Sequence, residues 1–230
     1  MRIGIIGAGN IGGTLARRLT QLGHEVSIAN SRGPDTLAGL AKETGARPVT
    51  VEQAARAGDV VIVTIPEKSV RDLPKGLFDG VSRDVVVVDT GNYYPTHRDG
   101  LIQEIESGKT ESRWVSDRLG RSVVKAFNNI RARSLGAGGK PKGTRGRIAL
   151  PVAGDDPRAK TVVMRLVEDL GFDPIDAGGL DESWRQQPGT PVYAADFDAD
   201  RVKRALAEAN PERPAGHRAD AGDAAVAKGR

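Results

Sequence analysis

The sequence predicts an α/β fold, a doubly wound and mostly parallel sheet followed by a small C-terminal α/β unit, and three observations lead there. Aromatic residues make up only 4% of the 230-residue chain, so the core must come from Val, Ile, Leu and Ala, which suits a sheet covered on both faces. The first ninety residues alternate short β-branched runs with helical patterns, the rhythm of parallel strands joined by crossover helices. Two runs, Val60 to Ile65 and Val85 to Val88, are nearly continuous in β-branched residues, as central strands without a solvent face are.

Arg2 to Ile6 reads as the first strand and Asn10 to Leu22 as the first helix, where Leu15, Leu19 and Leu22 make one apolar stripe and Gly23 supplies the stop. Glu25 to Ala29 is the second strand and Asp35 to Thr44 the second helix. Thr50 and Gln53 have the spacing of a capping box and open a helix that ends at Gly58. Ser122 to Phe127 completes the six-stranded sheet of a Rossmann domain, set at 1–133. Ser134 to Arg147, SLGAGGKPKGTRGR, reads as a long basic loop leading to a small substrate or dimerisation domain at 148–210. There Ile148 to Ala153 and Phe172 to Ile175 are strands, Pro157 to Leu170 is a helix with Pro in its first turn, and 201–209 is helical. The remainder, 211–230, lacks apolar periodicity and is expected to form a flexible tail.

Composition excludes several chemistries. The chain has no Cys, so disulfides, thiolate nucleophiles and iron–sulfur ligation are out. His24, His97 and His217 fall in no ligand spacing, so no metal site is expected. The N-terminal apolar run is too short for a signal peptide or a membrane span, and a cytoplasmic protein without membrane contact is expected. A formal charge of +4 is mild and does not point to nucleic acid.

Gly7-Ala8-Gly9-Asn10-Ile11-Gly12 matches GxGxxG between a strand and a helix, the setting in which that pattern holds a dinucleotide. Gly7 allows the tight turn, Gly9 lets backbone approach a diphosphate, and Gly12 permits close helix–strand packing. The N–H groups near Asn10 and Ile11 would face the diphosphate at the positive end of the helix dipole. About twenty residues on, sites selective for NAD carry an Asp or Glu for the ribose 2′-hydroxyl. Here the chain reads Ala29-Asn30-Ser31-Arg32-Gly33. Ser31 and Arg32 instead offer the donors that a 2′-phosphate requires, so NADP(H) is expected. Thr64-Ile65-Pro66 and Asp89 to Tyr94 follow the fourth and fifth strands on the ligand-binding edge, with Asn92 either near the reacting ring or serving a turn.

The stretches GIIGAGNIGGTLARRL, ANSRGP, DVVIVTIP, VVKAFNN, ALPVAGDD and SWRQQPGTPVY together resemble the NADPH-dependent deazaflavin reductase-like family, also called coenzyme F-420-dependent NADP oxidoreductases. The resemblance spans nearly all of the chain before the tail. It implies a Rossmann domain with a small C-terminal domain, commonly dimeric, that passes a hydride between NADP(H) and a deazaflavin. It also implies cofactor contacts at Gly7, Gly9, Asn10, Ile11, Gly12, Ser31, Arg32, Ile65 and Pro66, and a nicotinamide-side contact near Ala126. One departure is that Gly33-Pro34-Asp35-Thr36 follows the Ser-Arg pair, where deazaflavin reductases often place another basic residue.

Hydride transfer between stacked rings depends on positioning and requires no side-chain acid or base, so no catalytic residue is assigned. Lys125, Tyr93 and Tyr94 are the proton donors available if the acceptor is instead a small carbonyl or imine; flavin reduction and non-catalytic NADP(H) sensing are further alternatives. Arg121 to Arg147 carries eight Lys or Arg and no acid, which either receives an anionic small-molecule substrate or forms a solvated loop. Trp184 to Tyr193 is either a lid over the nicotinamide or part of the small-domain core or a homodimer contact.

Overall fold

A computed structural model describes residues 1–219. In chain order the first part comprises β1 (Arg2–Ile6), α1 (Asn10–Gln21), β2 (Glu25–Ala29), α2 (Ala38–Thr44), β3 (Arg47–Pro48), α3 (Val51–Ala55), β4 (Val60–Val63), α4 (Glu67–Val70), β5 (Val86–Asp89), α5 (Gln103–Glu106), α6 (Glu111–Leu119) and β6 (Val124–Lys125). Its six strands form one parallel sheet in the order β3-β2-β1-β4-β5-β6. Strand alternation sorts the core into two layers. Ile3, Ile5, Val60, Ile62, Val86 and Val88 pack with Leu15 and Leu19 of α1. Ile6, Val61, Val63 and Val87 pack on the opposite side with Ala54, Trp114 and Val115. Each fully buried Val, Leu or Ile side chain stabilises the fold by about 1.5–3 kcal/mol, which is why these strands need no polar face.

The second part comprises α7 (Ala132–Ala137), β7 (Ala149–Val152), α8 (Pro157–Asp169), β8 (Asp173–Asp176) and α9 (Ala199–Ala207). β7 and β8 form a parallel pair, and β7 is stitched to β6 by an antiparallel bridge. In that bridge the Lys125 N–H donates to the Ala153 carbonyl at 2.8 Å and the Ala153 N–H returns to Lys125 at 3.0 Å. Leu150, Leu166, Val167 and Phe172 share the apolar cluster of Ile3 and Ile5. The small α/β unit therefore extends the core of the main sheet.

Local signals worked where chemistry was local. The Thr50 hydroxyl accepts from the Gln53 N–H at 3.3 Å and the Gln53 side chain accepts from the Thr50 N–H at 3.0 Å, a formed capping box that opens α3. The expected 134–147 loop begins instead as the end of α7, because α7 packs on α1. Arg18 of α1 clamps it by donating to the Leu135 and Gly136 carbonyls, both at 3.0 Å. The tail expected to be flexible from 211 is docked over 211–219. Arg213 pairs with Glu111 at 3.0 Å and lies over the Tyr93 ring, and the Ala219 N–H donates to Glu106 at 3.1 Å. A buried carboxylate holds this segment by a long-range contact that composition does not reveal. Residues 220–230 of the expected tail lie outside the described residues.

Candidate functional site

The glycine loop is fixed by space. Gly7 has φ +115°, and a Cβ there would stand 2.2 Å from the Thr64 carbonyl oxygen; one on Gly12 would stand 1.9 Å from that of Gly7. At Gly9 a Cβ would meet nothing within 4 Å, so backbone is pared back there without any neighbour in the fold requiring it. α1 has no side-chain cap, and its first helical bond runs from the Gly13 N–H to Gly9 at 2.8 Å. The N–H groups of Asn10, Ile11 and Gly12 are thus left without helical acceptors. An open glycine followed by uncapped N–H groups at a dipole's positive end fits a diphosphate.

Beside this loop lies a cleft of ≈ 720 Å³ whose wall includes Gly7, Gly9, Ser31, Arg32, Ile65 and Pro66. Sequence reasoning found those residues but missed others of the wall, among them Val51, Glu52, Ser69, Asp72, Leu73 and Pro74. The segment around Ser69 to Pro74 carries no periodic signal, and only the fold brings it to the cleft. Ser31 and Arg32 are exposed on the turn after β2, and among the described residues their side chains engage no partner. A hydroxyl and a guanidinium, with no carboxylate at the end of β2, are the donor set for a 2′-phosphate.

Asn92 and Ala126 lie outside that cleft, just beyond β5 and β6. Ala126 is fully buried and its N–H donates to the Asp89 carbonyl at 3.2 Å. The Asn92 carboxamide ties the two strand ends together, donating to the Asn128 carbonyl at 2.9 Å and accepting from the Asn128 side chain at 3.0 Å. The Asn92 carboxamide is thus held by a tie between strand ends, a contact that neither role read from the sequence anticipates. Asn128 continues the network to Gln186, which donates to it at 2.9 Å. Between them Phe127 holds φ +61°, a conformation that costs a non-glycine residue about 1–3 kcal/mol. The Tyr94 and Tyr193 hydroxyls are hydrogen-bonded to each other across this edge. Burial raises the Tyr193 phenol above its ordinary range and keeps it protonated.

Beneath the β5 end is a buried charge cluster that the sequence did not disclose. Lys125 donates to Asp89 at 3.2 Å and to the Gly91 carbonyl at 2.7 Å, and stands 3.8 Å from Glu111. Ser112 donates to Asp89 at 2.6 Å. Burial alone would lower the Lys125 ammonium, but the Asp89 carboxylate first and Glu111 second reverse that and hold it above its ordinary value. Glu67 is fully buried with neither carboxyl oxygen hydrogen-bonded. Burial first, and the Asp89 carboxylate second, hold it well above the usual carboxylate range. A neutral Glu67 leaves Lys125 and Arg213 to balance Asp89 and Glu111.

The sign of the linkage follows. From about pH 4 upward an unfolded Glu ionises while folded Glu67 does not, so its contribution to stability is greatest in acid and is lost as pH rises through its folded pKa. A Glu67→Gln variant, which cannot ionise, should therefore gain in melting temperature relative to the wild type between pH 5 and pH 9. A difference that does not change with pH would contradict a neutral Glu67.

Half of the basic run from Arg121 to Arg147 is engaged by other parts of the fold. Arg121 donates to the Val81 carbonyl at 3.1 Å, Lys125 joins the cluster above, Lys142 pairs with Glu168 at 2.5 Å, and buried Arg147 pairs with Asp173 at 2.6 Å. These four meet carbonyls or acids from outside the run, Lys142 at an exposed position; Arg131, Arg133, Lys140 and Arg145 stay exposed without an acid partner among the described residues. Among the described residues no cluster of metal-ligating side chains occurs, and no helix is long and apolar enough to cross a membrane.

Residues 2–93, which contain the glycine loop, the Ser31–Arg32 turn and Thr64 to Pro66, match the family described as NADP oxidoreductase, coenzyme F420-dependent. Over this stretch, 92 of its 230 residues, the chain belongs to this family. Its likeness to solved members of the fold extends well past residue 93. A hypothetical protein of Sinorhizobium meliloti, SMa0349, is 34% identical with a TM-score of 0.73 over 87% of this chain and 97% of that one. A proposed F420-dependent NADP reductase from Arthrobacter sp. FB24 is 25% identical with a TM-score of 0.62, over 78% of this chain and 85% of that one. The protein YjhV of Escherichia coli K12 is 55% identical over 104 residues, which are 45% of this chain and 64% of YjhV. The chain thus spans less than two thirds of the length of that curated relative. In family terms the nucleotide cleft falls inside the matched stretch, whereas Ala126, Asn128 and Tyr193 lie beyond it.

Proposed function

We propose that this F420-dependent NADP oxidoreductase family member transfers a hydride between NADP(H) and a deazaflavin-type acceptor of the coenzyme F420 class. The observation that carries the proposal is the junction of the open Gly9, the uncapped start of α1 and the unpaired Ser31–Arg32 turn, a seat for a diphosphate and a 2′-phosphate together. NADPH bound there supplies two electrons and a proton as hydride to the acceptor, with the second proton drawn from solvent. The chain's own contribution is to bind and orient. Lys125 and Tyr93 are buried, and Lys125 is ion-paired, which suits a reaction with no obligatory side-chain acid. The family description and the Arthrobacter relative support the deazaflavin as acceptor.

The Tyr94–Tyr193 hydroxyl pair favours a second reading, reduction of a small carbonyl or imine with a phenol as proton donor. Stopped-flow mixing of the NADPH-loaded protein with coenzyme F420, a flavin, and carbonyl and imine panels separates the two. Loss of the deazaflavin's visible absorbance faster than NADPH oxidation by any other acceptor is expected. Turnover confined to carbonyls or imines, and abolished by changing both tyrosines to Phe, would replace the first reading with the second. Tight NADPH binding with no oxidation by any acceptor would mark a sensing protein.

A further inference from the structure

Asn30 is the first residue after β2, the place where domains of this fold that read a ribose 2′-hydroxyl carry Asp or Glu. Its carboxamide organises the turn itself. The Asn30 Oδ1 accepts the Arg32 N–H at 2.9 Å, and its Nδ2 donates to the Thr36 hydroxyl oxygen at 2.9 Å. The Thr36 hydroxyl donates in turn to the Gly33 carbonyl at 2.8 Å. Because the Arg32 N–H demands an acceptor, the carboxamide has one orientation, and Asp could hold Thr36 only by taking the hydroxyl proton now given to the Gly33 carbonyl. Gly33, at φ +94°, lets the chain turn from this knot into Pro34.

We infer that Asn30, supported by Thr36, is the positioning residue that sets nucleotide selectivity in this cleft. It pre-forms the turn so that Ser31 and Arg32 project together, which lowers the ordering cost of binding. Being neutral, it adds no negative charge beside the 2′-phosphate seat. The inference rests on NADP(H) being the nucleotide.

The test is titration of NADPH and of NADH, separately, into the wild type and into Asn30→Ala, Asn30→Asp and Thr36→Val, each checked for an unchanged melting temperature. Loss of two loop hydrogen bonds in Asn30→Ala should raise the NADPH Kd about tenfold while the NADH Kd moves less than about twofold. Thr36→Val should raise the NADPH Kd about threefold. Asn30→Asp keeps an acceptor for Arg32 but adds a charge, and should weaken NADPH about a hundredfold while leaving NADH equal or tighter. If Asn30→Ala does not fold, the other two variants decide. Equal factors for both nucleotides, or no change, in these variants would overturn the role of Asn30. A wild type that binds NADPH no tighter than NADH would instead overturn the nucleotide assignment beneath it.

Discussion

Replacing Lys125 by Met should destabilise the protein by about 3–5 kcal/mol, the cost of removing one partner from a buried ion pair. The ammonium is the group that Asp89 and Glu111 share, and both acids are no more than 2% exposed. Met matches the stem in shape but leaves Asp89 with only Ser112 and the Gly91 N–H, bonded at 2.6 and 2.8 Å. Glu111 keeps Arg213 alone. For a chain of this size the loss corresponds to a drop in melting temperature of about 10 °C. Calorimetry at pH 7 checks it. Adding Asp89→Asn to Lys125→Met should restore part of the loss, since the unpaired charge is what destabilises. A single variant within about 1 kcal/mol of the wild type would mean that water reaches the cluster and that its charges are not confined. Lys125 also holds the Gly91 carbonyl, and so the chain leading from β5 to Asn92.

What the sequence disclosed follows the range of the interaction. The strands β1, β2 and β4 with the helices between them, the Thr50–Gln53 capping box and the glycine loop depend on neighbours a few residues apart and read directly from the chain, whereas β3, only two residues long, gave no signal. The roles of Gly7 and Gly12 were legible because only a missing Cβ permits approaches of 2.2 and 1.9 Å to carbonyl oxygens. α4, α5 and α6 were not legible: they are 4 to 9 residues long, and Ile105, Trp114 and Val115 are too widely spaced for a convincing stripe. Glu67 and Glu111 look like ordinary first-turn acids of solvent-facing helices. Their burial depends on partners at 125 and 213, far along the chain. For the same reason the basic run at 121–147 does not disclose in sequence that Lys125, Lys142 and Arg147 meet acids from elsewhere in the chain, while Arg131, Arg133, Lys140 and Arg145 stay exposed. Asn92 was placed at the right edge, yet its partner Asn128 is 36 residues away, and no local pattern announces that tie. In the cleft, Ser31 and Arg32 were found by the absence of an acid, whereas Asn30, whose carboxamide bonds the Arg32 N–H and Thr36, received no role from the sequence.

The central claim is that the cleft selects a nucleotide bearing a 2′-phosphate through Ser31 and Arg32. Arg32→Glu tests it most directly, by fluorescence titration of NADPH and NADH at one fixed, low ionic strength. The guanidinium is exposed and unpaired among the described residues, so its replacement should leave the melting temperature within about 1 °C, as surface changes usually do. The variant exchanges charge-assisted hydrogen bonds to the phosphate for like-charge repulsion. The NADPH Kd should rise about a hundredfold or more, equivalent to at least about 2.7 kcal/mol. NADH, which lacks the phosphate, should bind within about threefold of its wild-type affinity. Salt should narrow the NADPH difference, because the lost interaction is electrostatic and partly exposed. Equal weakening of both nucleotides, or an NADPH affinity that does not change, would contradict the claim.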